Sequence, residues 1–298
     1  MKKVFVLPAD EDWIVDRFAS EWNADNQDIS TTNPHTADVI WLLASWCWNK
    51  MPTSILKGKK VLTTVHHIVP EKFGPLEERQ FRLRDEVTTA YHVYNETTKK
   101  FIQNFTEKPI HLLGYWANQR IWKRDDDKSL LRQKLGISED SFVVGSFQRD
   151  TEGKDMVSPK LEKGPDLLAD YLELLSSSRK VHVVLAGWRR QYLISRLQSA
   201  KIDYSYHERP HQKTINNLYQ TLDLYPVSAR HEGGPQALIE CGLIGVPVIS
   251  RDVGIARQVL PRESINDHLS LAHPSIPNVE SWKLPGGYAP YRKLVQEL

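Results

Sequence analysis

Glu232 and Glu240 lie eight positions apart, on either side of the predicted start of a helix. Between them, Gly233 and Gly234 let the backbone approach a ligand closely, and Pro235 suits the first turn of that helix. A helix N-terminus carries partial positive charge and N–H groups without partners in the helix, so a phosphate could bind over the two glycines without a metal ion. The glutamates, about 12 Å apart at 1.5 Å per residue, could accept hydrogen bonds from hydroxyl groups at both ends of the ligand. This arrangement predicts a nucleotide-sugar site.

A pair of glutamates at this spacing is by itself more typical of a solvated helix surface. The whole phrase is more specific: Glu-Gly-Gly-Pro, then a second Glu, then Gly-Val-Pro-Val-Ile-Ser, ending at Ser250. It resembles the signature of the retaining glycosyltransferases of family four, and the resemblance extends from about Val61 to Pro261. The resemblance implies an α/β fold of two Rossmann-like lobes that face each other across a cleft (GT-B). It also implies transfer of a hexose-type sugar from a UDP- or GDP-linked donor to an acceptor hydroxyl of a glycan or lipid, with retention and without a metal or other cofactor.

The same resemblance assigns roles within the donor half of the site. Glu232 would bind hydroxyls of the transferred sugar, and Glu240 would bind the ribose of the nucleotide. Arg149, which follows a predicted strand, and Lys163, at a predicted helix start, match the two cations that hold the donor diphosphate. Positive charge there would stabilise the negative charge that develops on the leaving diphosphate. Asp150 to Glu162 separate the two cations, which is more chain than the family usually has.

Histidine and tryptophan residues at strand ends supply further candidates. The predicted strand at 61–65 ends in His66 and His67, and the family places a histidine here against the donor sugar or the departing diphosphate. His66 matches that position better, and His67 is both the alternative and a candidate on the acceptor side. A packed structural histidine is the competing interpretation. Trp188 follows Leu185-Ala-Gly187 at another strand end, where it could stack on the nucleotide base.

Two acidic clusters resemble metal sites superficially. Asp10, Asp12 and the adjacent Trp13 follow the first predicted strand, and we expect them to face the acceptor. The second cluster, 125–127, has oxygen ligands of the kind that Mg²⁺ or Mn²⁺ prefers. Because Lys and Arg flank it, a solvated turn is the favoured interpretation, and no metal site is predicted.

Apolar runs alternate with helical or loop segments along the whole chain, which is typical of parallel α/β sheets. We predict an N-terminal Rossmann-like lobe on the acceptor side (1–122), a C-terminal lobe on the donor side (123–285), and a final helix (286–298) that crosses back to the first lobe. Ligands bind at the carboxyl ends of the strands in such sheets.

Composition narrows the class of protein. The 298 residues carry a net charge of +2 and are 40% hydrophobic, which suits a globular chain. Without a clustered basic excess, nucleic acid is not an expected partner. Two distant cysteines indicate a reducing compartment, and no apolar run is long enough to span a membrane. We therefore expect a cytoplasmic protein; basic segments at 57–60 and 79–84 leave weak contact with an anionic membrane surface open.

Other functions fit parts of the pattern. A sugar phosphorylase, a nucleotide-sugar epimerase and a non-catalytic nucleotide- or carbohydrate-binding module all remain alternatives. A nicotinamide oxidoreductase is disfavoured because no Gly-x-Gly-x-x-Gly follows a strand. The residues do not specify the base, the sugar or the acceptor.

Overall fold

The computed structural model describes residues 1–11 and 14–298, so Asp12 and Trp13 lie outside the described residues. The chain divides into two compact units. The first comprises Met1–Trp116 and Leu284–Leu298, and the second comprises Ala117–Lys283. Each unit contains parallel β-sheet and helices, as predicted from the alternating sequence pattern.

Parallel strands of the first unit lie in the sheet in the order in which they occur along the chain. They are β1 (Val4–Val6), β2 (Val39–Leu42), β3 (Lys60–Val65), β4 (Ala90–Val93) and β5 (Ile110–Leu112). The helices between them are α1 (Ile14–Asp25), α2 (Thr53–Lys57), α3 (Pro75–Asp85) and α4 (Glu96–Ile102). Strands β2 and β4 are buried along their whole length. Strand β2 is a continuous apolar run, whereas β4 includes the polar residue His92, and β1 forms an edge of the sheet.

A series of hydrogen bonds connects buried side chains of this sheet. The Nε2 atom of His92 lies 3.3 Å from the carbonyl oxygen of Leu113, so Nε2 carries the proton and donates. The Nδ1 atom lies 3.0 Å from the Thr64 hydroxyl, which in turn accepts from the Trp41 indole at 2.8 Å. Burial lowers the pKa of His92 to about 3, so the imidazole is neutral in the folded protein.

The second unit contains the strands β6 (Phe142–Ser146), β7 (Val181–Ala186), β8 (Asp203–His207), β9 (Tyr225–Val227) and β10 (Val248–Ser250). Its helices are α5 (Lys128–Lys134), α6 (Pro165–Ser176), α7 (Gln191–Ser199), α8 (Gln212–Gln220), α9 (Gln236–Ile244) and α10 (Ala256–Val259). Strand β7 is fully buried, and apolar residues of α6 and α7 pack with it in one core cluster.

The strand order of the second unit reverses between β6 and β9. Strands β6, β7 and β8 pair in that order, whereas β9 pairs with β10. A parallel bridge between Val144 and Leu224 joins the two groups. In an open α/β sheet, such a reversal leaves a crevice at the carboxyl ends of the two central strands, and ligands bind there. A ligand site is therefore expected in the segments that follow β6 and β9.

The C-terminal helix α11 (Ala289–Glu297) belongs to the first unit. Tyr291 of this helix stacks on Trp41 with ring centroids 5.4 Å apart, and Tyr288 meets Trp22 edge to face at 5.7 Å. Trp116 packs against both tyrosines. The tryptophans of this cluster are buried, so they serve the core.

Candidate functional site

A charged pair lies where β6 and β9 end. The Nζ atom of Lys163 is 2.5 Å from Oε1 of Glu232, and each side chain is about 15% exposed. Lys163 ends a short 3-10 helix (Leu161–Lys163) that precedes α6, and Glu232 follows β9. The structure thus brings together two of the predicted site residues that are 69 positions apart.

Backbone contacts hold the segments of this pair together. The carbonyl of Glu162 accepts from the amides of Arg230 at 2.8 Å and His231 at 3.1 Å. Arg230 also makes a two-pronged contact with Asp166 at 2.8 and 2.6 Å, and the guanidinium lowers the pKa of that carboxyl group. Ser228 donates to the carbonyl of Lys163 at 3.1 Å. Backbone and side-chain contacts therefore hold together the segments that carry Lys163 and Glu232.

Gly164 allows the closest approach between these segments. Its φ is +61°, in the left-handed region, and a Cβ atom there would lie 2.0 Å from the carbonyl oxygen of Ser228. Only glycine meets both requirements without strain. The Lys-Gly-Pro sequence thus ends the 3-10 helix and begins α6 at Pro165.

The helix start at the paired glycines differs in detail from the prediction. Helix α9 begins at Gln236, and Pro235 is its N-cap residue with ψ of 116°, so the proline precedes the first turn instead of occupying it. Gly233 and Gly234 are buried. Gly254 packs on them, since a Cβ atom on Gly254 would lie 3.0 Å from the carbonyl oxygen of Gly233. This support was not predictable from the sequence pattern, because Gly254 lies beyond the phrase that ends at Ser250.

Glu240 lies on α9 and is only 7% exposed. A buried carboxylate needs a partner, and the hydroxyl of Tyr219 donates to its Oε2 at 2.7 Å. Burial, followed by the neighbouring carboxylate, raises the pKa of Tyr219 well above its usual range, so the phenol stays protonated and donates. The surface-charge interpretation of Glu240 is therefore wrong. No sequence motif marks Tyr219, because its position on α8 is that of an ordinary core residue.

Trp188 follows β7, and three guanidinium groups surround its indole. The centroid of the ring lies 5.1 Å from Arg149, 4.8 Å from Arg189 and 4.8 Å from Arg209. Trp188 is 39% exposed. Among the residues that the structure describes, no carboxylate forms an ion pair with any of the three arginines. The platform of Arg149, Trp188, Arg189 and Arg209 thus combines an aromatic surface with unneutralised positive charge, which suits an anionic ligand that carries a ring.

The extra chain between the two predicted cations forms a side loop. The amide of Lys160 donates to the carbonyl of Asp150 at 2.8 Å, and Thr151 and Pro159 form an antiparallel bridge. The loop closes at its base, so its length does not separate Arg149 from Lys163 in space. Gln148, the residue before Arg149, directly contacts the Lys163 segment: its Nε2 atom donates to the carbonyl of Lys163 at 2.8 Å.

The predicted residues of the first unit lie at the ends of β1 and β3. The Nε2 atom of His66 is 2.8 Å from the carbonyl oxygen of Leu43, so this nitrogen donates and the ring orientation is fixed. His66 also contacts the rings of Trp46 and Tyr94, at 5.6 and 5.3 Å. His67 follows it and is half-buried. Asp10 is exposed, with φ of +55°.

The acidic cluster at 125–127 has structural partners. Asp127 caps α5 by accepting from the amides of Ser129 and Leu130. Asp125 lies 3.3 Å from the ammonium of Lys123. Across residues 1–11 and 14–298, no three His, Cys, Asp or Glu side chains converge as a metal site would require.

None of the described helices has the length and apolar character needed to cross a membrane.

Comparison with known proteins bears on both units. Residues 127–265 match the family model described as Glycosyl transferases group 1. This segment is just under half of the chain, lies within the second unit and contains the Lys163–Glu232 pair. The match supports glycosyltransferase activity. No curated protein sequence matches the chain at a significant level.

Solved structures share the fold at low sequence identity. HepE of Anabaena, solved with UDP-glucose, superimposes with a TM-score of 0.73 and 16% identity over 91% of this chain and 88% of its own. Sucrose-phosphate synthase of Thermosynechococcus elongatus gives 0.62 and 14% over 95% and 78%. A glycosyltransferase of Rickettsia africae gives 0.58 and 14% over 90% and 86%. These likenesses confirm the predicted fold class, two Rossmann-like α/β lobes.

Proposed function

We propose that this protein is a retaining, metal-independent glycosyltransferase that moves a sugar from a nucleoside-diphosphate donor to an acceptor hydroxyl. The observation that carries the proposal is the Lys163–Glu232 pair beside the glycine-rich start of α9, at the point where the strand order reverses. One small area thereby offers positive charge and helix N–H groups to a diphosphate, and carboxylate oxygens to sugar hydroxyls.

Each group has a distinct part in the proposed transfer. Lys163, Arg149 and the N-terminus of α9 stabilise the charge that develops on the departing diphosphate. Glu232 orients the transferred sugar through its hydroxyls, and Glu240 binds the ribose. Retention follows if the acceptor attacks from the face that the diphosphate leaves, with a donor phosphate oxygen taking the acceptor proton. The resemblance assigns His66 to the donor sugar or the departing diphosphate and Asp10 to the acceptor.

The platform around Trp188 extends the donor site toward the nucleoside. Its indole offers a stacking surface for the base, and its arginines offer charge to the phosphates. We favour UDP over GDP as the nucleotide because HepE, which has the same fold, was solved with UDP and with UDP-glucose.

Nucleotide binding is tested first. UDP, GDP and their sugars are titrated by calorimetry and by thermal shift, with and without EDTA. We expect selective stabilisation by UDP compounds that EDTA leaves unchanged, because ligands that bind only the folded state raise its stability. Stabilisation that depends on a divalent ion, or none with any nucleotide, would contradict the proposal.

Transfer is tested with Glu232→Gln, which keeps the size of the side chain and removes its charge. We expect UDP affinity to stay within about twofold while transfer to an acceptor mixture falls about 100-fold or more. Product analysis separates the alternatives: an isomerised donor would indicate an epimerase, and a sugar phosphate formed with inorganic phosphate would indicate a phosphorylase. Binding without any turnover would indicate a non-catalytic module.

A further inference from the structure

A groove in the first unit has a lining suited to carbohydrate. It has a volume of about 730 Å³ and lies between α1, the edge strand β1 and the segment that follows Ser30. Residues 29–31 pair with β1 only around Val4, through bonds of 2.7 and 2.9 Å. Beyond that point, Phe5 and Val6 of β1 line the groove.

One wall of the groove is a continuous stripe of α1. Asp16, Ala19, Ser20 and Asn23 line it at spacings of three and four residues, so they share one helix face. The stripe is about 10 Å long at 1.5 Å per residue, roughly the length of a disaccharide. Ser20 and Asn23 are exposed, so their hydroxyl and amide groups are available to a ligand.

The other two sides of the groove contribute an aromatic ring and hydroxyl groups. Phe5 is half-buried in the groove, and apolar ring faces bind the C–H faces of sugars. Thr31 and Thr32 contribute hydroxyl groups from the third side. The Thr31 hydroxyl lies 3.0 Å from that of Thr36, which holds this side in place.

Asp16 anchors the loop after β1, and this loop forms one end of the groove. Its carboxylate accepts from the amides of Ala9, Asp10 and Glu11 at 2.8, 2.9 and 2.8 Å. This arrangement places Asp10 at the groove with its backbone anchored. The mouth of the groove is therefore built by the fold and does not depend on the exposed side chains alone.

The charge of the lining selects the ligand. The described lining residues include two aspartates, three hydroxyl residues and one asparagine, and no Lys, Arg or His. A phosphate or uronate would find no cation there and would be repelled by the carboxylates. Neutral hydroxyl groups would find both donors and acceptors.

We propose that this groove binds a neutral saccharide of about two sugar units. The binding does not depend on the proposed function. The site extends from Asp10 to Ser20, Asn23 and Thr32 within the first unit.

The test measures saccharide binding to the full chain by saturation-transfer NMR and calorimetry. The probes are cellobiose, maltose, lactose and diacetylchitobiose, with a glucuronate-containing disaccharide as the acidic comparison. Asn23→Trp fills the groove, and Ala24→Trp, on an exposed position one residue further along α1, is the matched control. UDP binding is measured for every variant.

We expect at least one neutral disaccharide to bind, with affinity lowered about tenfold or more by Asn23→Trp and within about twofold in Ala24→Trp. The acidic disaccharide should bind more weakly than its neutral counterpart. Absence of neutral binding, equal binding by Asn23→Trp, or preference for the acidic disaccharide would each overturn the inference. Loss of UDP binding alone would instead count against the proposed function.

Discussion

Arg190 and Asp150 form an ion pair in the interior of the second unit, with Nε 2.6 Å from Oδ2 and exposures of 0% and 1%. The guanidinium also donates to the carbonyl of Ala186 at 2.6 Å, to the hydroxyl of Ser146 at 2.8 Å and to the carbonyl of that serine. It thereby ties the ends of β6 and β7 together. Arg149 and Trp188 are sequence neighbours of these tethers, so the buried pair positions the platform.

Asp150→Asn should cause a large loss of stability. The substitution leaves a guanidinium buried without its counter-charge, which costs about 3–5 kcal/mol. The matched control is Asp170→Asn, which breaks the exposed Arg196–Asp170 pair, with side chains 31% and 68% exposed, and should cost less than about 1 kcal/mol. Urea unfolding measures both.

The same variant tests the positioning role. If Asp150→Asn folds at low temperature, its UDP affinity should fall more than that of Asp170→Asn, because Arg149 and Trp188 lose their shared support. Similar unfolding free energies for the two variants would contradict the importance of the buried pair.

Gly164→Ala should disturb the Lys163–Glu232 pair through the backbone. The new Cβ atom would lie 2.0 Å from the carbonyl oxygen of Ser228, so the two segments must move apart. Gly136→Ala is the control, since Gly136 also has a left-handed φ of +67° but no atom within 4 Å of the new Cβ. The control should cost about 1–2 kcal/mol from φ alone; Gly164→Ala should cost more and lower UDP affinity as well. Equal losses would show that close packing at Gly164 is unimportant.

The sequence allows prediction of those parts of the molecule that are encoded in short, contiguous sequence patterns. Apolar runs predicted the parallel strands, and Glu232, Gly233 and Lys163 are predicted as site residues because they lie in contiguous phrases. The supporting residues could not be predicted, because their roles arise from contacts across the fold. Arg190 looks like one of two adjacent surface arginines, yet it is fully buried. The distinction depends on Asp150, forty positions away.

Tyr219→Phe should weaken the donor site while leaving the core filled. The substitution removes the hydroxyl that donates to Glu240 at 2.7 Å, and a hydrogen bond to a charged group contributes about 1.5–3 kcal/mol. We expect a loss of stability in this range and weaker binding of UDP, because the carboxylate that is proposed to bind ribose loses its orientation. Calorimetry with UDP and with uracil measures the second effect. An unchanged ratio of the two affinities would argue against a ribose contact by Glu240.

Trp188→Ala should lower nucleotide affinity about tenfold or more, since stacking on an aromatic side chain contributes about 1–3 kcal/mol per base. Trp188→Phe should retain much of the affinity. Trp46→Ala is the control, because Trp46 is similarly exposed, at 43%, but lies in the first unit. Nucleotide affinity that is equal in the Trp188→Ala and Trp46→Ala variants would remove the platform from the donor site.

His92 should make the stability of the protein fall in mild acid. Its pKa is about 3 in the folded protein, against 6.5 for an unperturbed histidine, because of complete burial. The unfolded chain therefore binds a proton below pH 6.5 that the folded chain does not bind until near pH 3. The stabilisation is fully present above pH 6.5 and decreases as the pH falls toward 3, by about 1.4 kcal/mol per unit and so about 2 kcal/mol at pH 5.

The variant His92→Asn isolates this contribution. Burial also lowers the pKa values of His111, His182 and His207, so they add to the pH dependence of both proteins and cancel in the comparison. Urea unfolding at pH 7 and pH 5 should show a smaller loss of stability in the variant, by about 2 kcal/mol, even though its stability at pH 7 is lower. Equal losses in the two proteins would mean that His92 accepts a proton in the folded state as readily as in the unfolded chain, which complete burial between Thr64 and the carbonyl of Leu113 opposes.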